Sequence, residues 1–295
     1  MSGIIPFWES TVRTPDELRT IAAEIRKDML VMIHRAGGGH TGGSLSSLDI
    51  LVTLYFRVMR IDPSRPKNPT RDRFVLSKGH SVEGYLNVLA RMGFFAAPEL
   101  ETYGRFGSKL YGHPTMSVPG VEAPTGALGH GLSIGVGMAL AGRMDRLDNH
   151  VYVLMGDGEQ AEGSVWEAAM SASHYGLNNL TAIIDYNKLQ ISGDVDSVMT
   201  ISSLVDRWSD FGWTVRELDG NDVDALTCEF ESDRAGTPGP KLVLAHTRKG
   251  CGVSFMENNP AWHHKVPTDD ELQAALAELD EQIVRLSKNV KERVR

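Results

Sequence analysis

The sequence predicts an α/β fold: a doubly wound, mostly parallel sheet with helices on both faces. Three observations carry this. Residues 151–155 and 180–185 are apolar runs rich in β-formers, too short for lone helices, and they read as strands buried on both faces. An alanine-rich helical pattern at 162–175 lies between them, which makes one βαβ unit. Residues 73–77 read as a further buried strand, and 215–218 and 241–245 as two more around a helix near 222–230.

Thr14 can cap a helix whose first position is Pro15 and whose capping box is completed by Glu17. Leu18, Ile21, Ala22, Ile25, Met29, Met32 and Ile33 then recur at helical spacing until Gly37-Gly38-Gly39. A second helix is expected over 44–59, with Leu48, Leu51, Val52, Tyr55 and Phe56 on its apolar side, followed by a surface connection over 60–71 with three prolines. A helix through Leu86 and Leu89 and a small-residue helix at 132–143 come before the central unit. Thr268 and Glu271 form another capping box, which opens a charged amphipathic helix to about Val290. The expected organisation is one domain over 1–295, with a helical segment at 1–36 and a closing helix at about 268–290.

Composition excludes several classes. A formal charge of −8 argues against a nucleic-acid or anionic-membrane surface, so any phosphate site must be local. The two cysteines, Cys228 and Cys251, form no CxxC pair and indicate neither a disulfide framework nor zinc, so the cytoplasm is expected. No run approaches the length of a membrane span, and no leader pattern opens the chain.

The chemistry-bearing residues sit just past strand ends. Gly156-Asp157-Gly158 follows one strand of the central unit, and Asn187 follows the other. Parallel strands place such loops side by side, where ligands of open α/β sheets bind. A carboxylate and an amide oxygen there suit Mg²⁺ together with ligand phosphate oxygens, and a helix amino terminus after Gly158 would help hold the phosphates. The plain reading is an ordinary tight turn, in which Asp and Gly are common. His40 lies in a glycine-rich loop, His80 in Ser77-Lys78-Gly79-His80 and His113 in Gly112-His113-Pro114. The glycines of 126–137 have the wrong spacing for a dinucleotide fingerprint, and no buried strand leads directly into them. His263-His264 lacks a second pair for zinc.

Asp157 and Asn187 are 30 residues apart, and Gly-Asp-Gly followed after that interval by Asn-Lys resembles the metal-diphosphate signature of thiamine diphosphate enzymes. With the His40, Ser-Lys-Gly-His, Gly-His-Pro and His263 motifs, the chain from about Leu18 to Pro267 resembles the diphosphate-binding half of transketolase, as the amino-terminal subunit of a transketolase split into two chains. The resemblance implies thiamine diphosphate with Mg²⁺ (or Ca²⁺ or Mn²⁺). It implies metal ligation by Asp157, Asn187 and the Leu189 carbonyl, and cofactor contacts from His80, Gly126, Leu128, Gly156, Asp157, Gly158, Asn187, Ile191 and His263. It gives His40, His80, His113 and His263 catalytic places, and Glu162 contact with a cofactor-activating glutamate on another chain. His130 is assigned only a possible cofactor or substrate contact, and His264 stands where the family often has Gly.

The implied reaction moves a two-carbon glycolaldehyde unit from a ketose phosphate to an aldose phosphate. The implied partner is a pyrimidine-binding, C-terminal transketolase subunit in an α₂β₂ assembly. The alternatives are the α-subunit of a 2-oxo-acid dehydrogenase, which the early histidine motifs disfavour, and a non-catalytic cofactor-binding scaffold. The particular donor and acceptor sugars, pentose phosphates or unusual and sulfonated ones, stay open.

Overall fold

The computed structural model describes residues 13–201, 203–232 and 238–293. The part of the expected segment 1–36 that precedes residue 13 lies outside them.

Helix α1 (Pro15–Ala36) opens on the expected capping box: Thr14 Oγ1 accepts from Glu17 N–H, and Glu17 Oε2 accepts from Thr14 N–H. Such a cap contributes about 1 kcal/mol. Gly37, in the left-handed conformation, ends the helix. The chain continues through α2 (Thr41–Ser46), α3 (Leu48–Thr53), a π-turn (Leu54–Val58), β1 (Arg73–Leu76), α4 (Val82–Met92), α5 (Gly131–Met144), β2 (Val151–Gly156), α6 (Gly163–His174) and β3 (Leu180–Tyr186). Then come a ribbon of β4 (Leu189–Gln190) and β5 (Gly193–Asp194), α7 (Val195–Val198), α8 (Leu204–Asp210), β6 (Thr214–Asp219), α9 (Val223–Glu231), β7 (Lys241–His246) and α10 (Asp269–Arg293).

The main sheet has the order β1-β2-β3-β7-β6 and every neighbour pair is parallel. Alternate side chains enter two separate cores. Phe74, Tyr152, Leu154, Ile183, Val243 and Ala245 pack with α1, α3, α4 and α9 on one face. Val75, Val151, Val153, Met155, Ala182, Ile184 and Leu244 pack with α5, α6 and α8 on the other. Burial on both faces is the reason these strands are apolar at every position rather than at alternate ones. Helix α10 lays Leu272, Ala275 and Leu279 against Met29, Leu30 and Ile33 of α1.

The expected continuous helix over 44–59 is instead α2, a break at Ser47, α3 and the π-turn. The break has a local cause: the Gly43 carbonyl accepts from Ser46 Oγ, Ser47 Oγ and Lys78 Nζ, and side chains have replaced the backbone ladder there.

Register places the working edge. Gly156 pairs with Asp185 and Tyr186 with His246, so β2, β3 and β7 end together. Asp157, Asn187 and the loop carrying Lys249 therefore leave the sheet on one side.

Candidate active site

Beyond those strand ends lies a cavity of about 370 Å³, bordered by His40, Lys78, His80, Gly126, Leu128, Gly156, Asp157, Gly158, Asn187, Leu189, Ile191, Lys249 and His263. A wider groove on the outer side of α1, lined by Arg13, Glu17, Glu24, Phe56 and Arg91, contains none of these residues.

At the oxygen-rich end, Asp157 is buried and its carboxylate joins two strand ends. Oδ1 accepts from Gly158 N–H at 2.7 Å and Oδ2 accepts from Lys188 N–H. Burial, and after it the nearby Asp185 carboxylate, pushes Asp157 up to about 6. Asn187 Oδ1 accepts from Leu189 N–H at 3.1 Å, and the Leu189 carbonyl accepts from Lys249 Nζ at 2.8 Å. Among the described residues no group of three His, Cys, Asp or Glu side chains is placed to hold a metal. The expected set has one carboxylate, one amide and one backbone oxygen.

Gly156 and Gly158 flank Asp157 without taking up left-handed backbone, contrary to the expectation of a glycine-dependent sharp turn. What Gly158 supplies is room, because a Cβ there would lie 2.9 Å from Gln190 Oε1. The helix amino terminus expected after Gly158 is also displaced: a single 3₁₀ turn (Gly158–Ala161) intervenes before α6 begins at Gly163.

Beneath the cavity lies a buried ion pair. Lys78 Nζ donates to Asp185 Oδ2, while Ser46 and Thr247 hydroxyls also donate to that carboxylate. Burial opposes the charge on Asp185, yet Lys78 and the two hydroxyls hold its carboxyl below the usual range.

The other end of the cavity is built of imidazoles. His40 is the hub, with ring centroids 5.5 Å from His80, 6.0 Å from His113, 5.9 Å from His263 and 4.5 Å from His264. His80 and His263 stack at 5.6 Å. The His40 backbone N–H donates to Glu83 Oε1 at 3.0 Å, and Glu83 also accepts from Ser44 Oγ and Tyr103 Oη. At 3.9 Å the His40 Nδ1 is too far from Glu83 for a hydrogen bond, and it has no other partner among the described residues.

Glycine is obligatory at two points of this wall. A Cβ on Gly79 would lie 2.8 Å from the Gly126 nitrogen, and one on Gly126, at φ 144°, would lie 2.6 Å from His113 Cδ2.

Burial, then the Lys249 charge, lowers His263 to about 3; burial, then Lys78, holds His80 well below the usual imidazole range. Lys249 is itself lowered to about 8 by burial and by Lys78. Its Nζ lies 2.8 Å from His263 Nδ1, so as donor it requires a neutral ring that accepts at that atom. In the free chain the ring signals of His80 and His263 should therefore show no protonation between about pH 5 and 8, and an NMR midpoint near about 6.5 would contradict this. The folded pKa values are depressed, so the unfolded chain takes up these protons first. These two groups destabilise the fold as pH drops below about 6.5.

Of the sequence-predicted residues, His40, His80, Gly126, Leu128, Gly156, Asp157, Gly158, Asn187, Leu189, Ile191 and His263 all border the one cavity. His113 adjoins it through His40. Glu162 does not; it is exposed, as the residue before α6. His130 is also outside, exposed, with Nδ1 3.0 Å from the Leu128 carbonyl.

Three buried residues escaped the sequence reading. Lys249 could have been found as a basic residue past a strand end, like Lys78. Glu83, in the first turn of α4, and Glu159, which accepts from Ser77 Oγ, Gly129 N–H and Gly156 N–H, act through tertiary contacts that leave no spacing signal.

The family model described as "Transketolase, thiamine diphosphate binding domain" matches residues 18–283. The chain belongs to the transketolase family. One of the two subunits of the apulose-4-phosphate transketolase of Phocaeicola vulgatus is 50% identical over 263 residues, covering 89% of this chain and 94% of that protein. The 6-deoxy-6-sulfo-D-fructose transketolase subunit SqwG of a Clostridium species is 43% identical, covering 90% and 97%. Transketolase from Pichia stipitis, in a crystal structure with sedoheptulose-7-phosphate, superposes with a TM-score of 0.82 at 28% identity, over 95% of this chain and 45% of that one. The chain thus spans nearly all of the subunit relatives and under half of that longer transketolase. These matches support a transferase that carries the thiamine diphosphate-binding part of a two-subunit transketolase, and they favour neither the dehydrogenase nor the scaffold alternative.

Proposed function

We propose that this chain is the diphosphate-binding subunit of a two-chain transketolase that moves a two-carbon ketol unit from a ketose phosphate to an aldose phosphate. One observation carries the reading: a single cavity at the carboxyl edge of the sheet has Asp157, Asn187 and Leu189 oxygens at one end and an imidazole cluster at the other.

The donor chemistry fits a hard divalent cation such as Mg²⁺. Asp157 is a buried carboxylate whose charge burial disfavours, and a cation shared with the Asn187 amide and the Leu189 carbonyl would relieve it. Lys249, now donating to Leu189, and Lys78 supply positive charge for the diphosphate. Gly126, Leu128 and Ile191 would form the walls around the thiazolium.

Bound thiamine diphosphate supplies a carbanion that can cleave the carbon–carbon bond next to a ketose carbonyl. The chain's own part is orientation and proton handling. His80 and His263, held neutral, and His40, fixed through Glu83, can take a proton from a sugar hydroxyl and return it, with His113 on the substrate side.

Glu162, exposed beside the site, would meet the activating glutamate of a pyrimidine-binding partner in an α₂β₂ assembly. Cys228 and Cys251 are unpaired thiols, which supports a cytoplasmic setting. Among the described residues no helix is long and apolar enough to cross a membrane.

The test is a coupled ketol-transfer assay of the chain alone and with a pyrimidine-binding partner, using apulose-4-phosphate, fructose-6-phosphate, sedoheptulose-7-phosphate and 6-deoxy-6-sulfo-D-fructose as donors. Turnover is expected from the pair only. Robust turnover by the single chain would refute the partner requirement, and no transfer by the pair from any ketose would refute the reaction.

A further inference from the structure

His264 takes no part in the proton handling assigned to the other four imidazoles, yet it is the one nearest to the hub of the cluster. Its ring meets His40 edge-on at 4.5 Å, closer than His80, His113 or His263. His40 borders two cavities. One is the cofactor-sized space past the strand ends; the other, of about 250 Å³, is walled by His40, Tyr103, glycines including Gly39 and Gly112, and His264. His40 is thus the shared wall, and His264 lines the side away from the cofactor space.

The polar inventory of the smaller cavity is short. Tyr103 Oη is committed to Glu83 at 2.7 Å, and the glycines offer backbone only. His264 makes no side-chain hydrogen bond among the described residues, so its two ring nitrogens are available to a ligand. A sugar whose reacting carbon lies against His40 can extend its remaining carbons into this space. A ring there both limits the length of that chain and can exchange hydrogen bonds with its hydroxyls.

We propose that His264 is a specificity-determining residue and that the 250 Å³ cavity is the subsite for the hydroxyl-bearing carbons of the sugar beyond those that react. The inference rests on the ketol-transfer reading. An imidazole suits the role because it can donate at one nitrogen and accept at the other, matching a polyol in either sense. It acts on affinity for the distal carbons and not on the bond that breaks, so its signature lies in KM and in the ratio between sugars.

The test uses the complex with the partner chain, loaded with thiamine diphosphate and Mg²⁺. Wild type, His264→Gly and His264→Asn are compared with glycolaldehyde, which has no distal carbons, and with a five-carbon aldose phosphate. For His264→Gly, kcat/KM for the aldose phosphate should fall on the order of tenfold, mostly through KM, while that for glycolaldehyde stays within about twofold. Calorimetry should show weaker binding of the aldose phosphate and unchanged binding of thiamine diphosphate. His264→Asn, which keeps a donor and an acceptor, should recover part of the loss and serves if the glycine variant does not fold.

An unchanged ratio between the two acceptors, or an equal loss for both, overturns the proposal and leaves the ketol-transfer reading standing. A wild-type complex that transfers no ketol unit to either acceptor overturns that reading, and this proposal with it.

Discussion

Asp157→Ala is expected to abolish ketol transfer by the assembled enzyme and to weaken thiamine diphosphate uptake by on the order of a hundredfold or more, since losing even an outer-shell partner of a metal ligand costs about 10–100-fold. The carboxylate is buried where two strands end and is tied to the Gly158 and Lys188 amides, so no other acidic side chain can swing into its place. Asn is no substitute, because its NH₂ would face one of those N–H donors.

Burial pushes the Asp157 carboxyl up to about 6, so uptake should also weaken as pH falls through that value. The sign for stability is the reverse. Because the folded pKa is raised, protonation relieves a burial penalty, and this group favours the unliganded fold more below about pH 6 than above it. Calorimetry with Mg²⁺ and the partner present decides the matter: an Asp157→Ala affinity within about tenfold of wild type would remove Asp157 from the metal site.

Lys78→Met should cost about 3–5 kcal/mol of folding stability, because it strands the Asp185 carboxylate in the interior with only the Ser46 and Thr247 hydroxyls as close donors. Against a total of about 5–15 kcal/mol, that is a large share. Asp185 has a lowered folded pKa, so the pair's stabilisation is present above about 3.9, its unfolded value, and is lost as pH falls through the folded one. Removing both charges, Lys78→Met with Asp185→Leu, should restore most of the stability, since replacing a buried pair by apolar groups is often neutral. Urea unfolding is the measurement. A loss below about 1 kcal/mol for the single variant would mean the pair is effectively solvated.

The sheet was legible because strands buried on both faces leave continuous apolar runs, and each of the five lies within two residues of its expected bounds. The segment over 44–59 was legible only as a face. Leu48, Leu51, Val52 and Tyr55 are buried as their spacing requires, but periodicity is blind to the ladder, and the break at Ser47 depends partly on Lys78, far along the chain. The Gly-Asp-Gly turn was found at the right place for a partly wrong reason, as its glycines give space and not left-handed backbone. The histidines stood out as isolated imidazoles in glycine-rich loops. Glu83 and Glu159 did not, because their importance is to accept backbone and hydroxyl protons from residues distant in sequence.

The parallel order of the sheet also bears on how the chain comes to be made. Arg73 must find Val151, and Thr181 must find Lys241, before either contact rewards the loop that was closed. Such high contact order predicts slow folding, in milliseconds to seconds or longer, with apolar strand edges exposed while partners are still missing. A substitution deep in β2 or β3 can therefore lower soluble yield through aggregation during synthesis even where the finished protein is as stable as before, and co-expressed chaperones or a lower growth temperature should separate that kinetic failure from an equilibrium one.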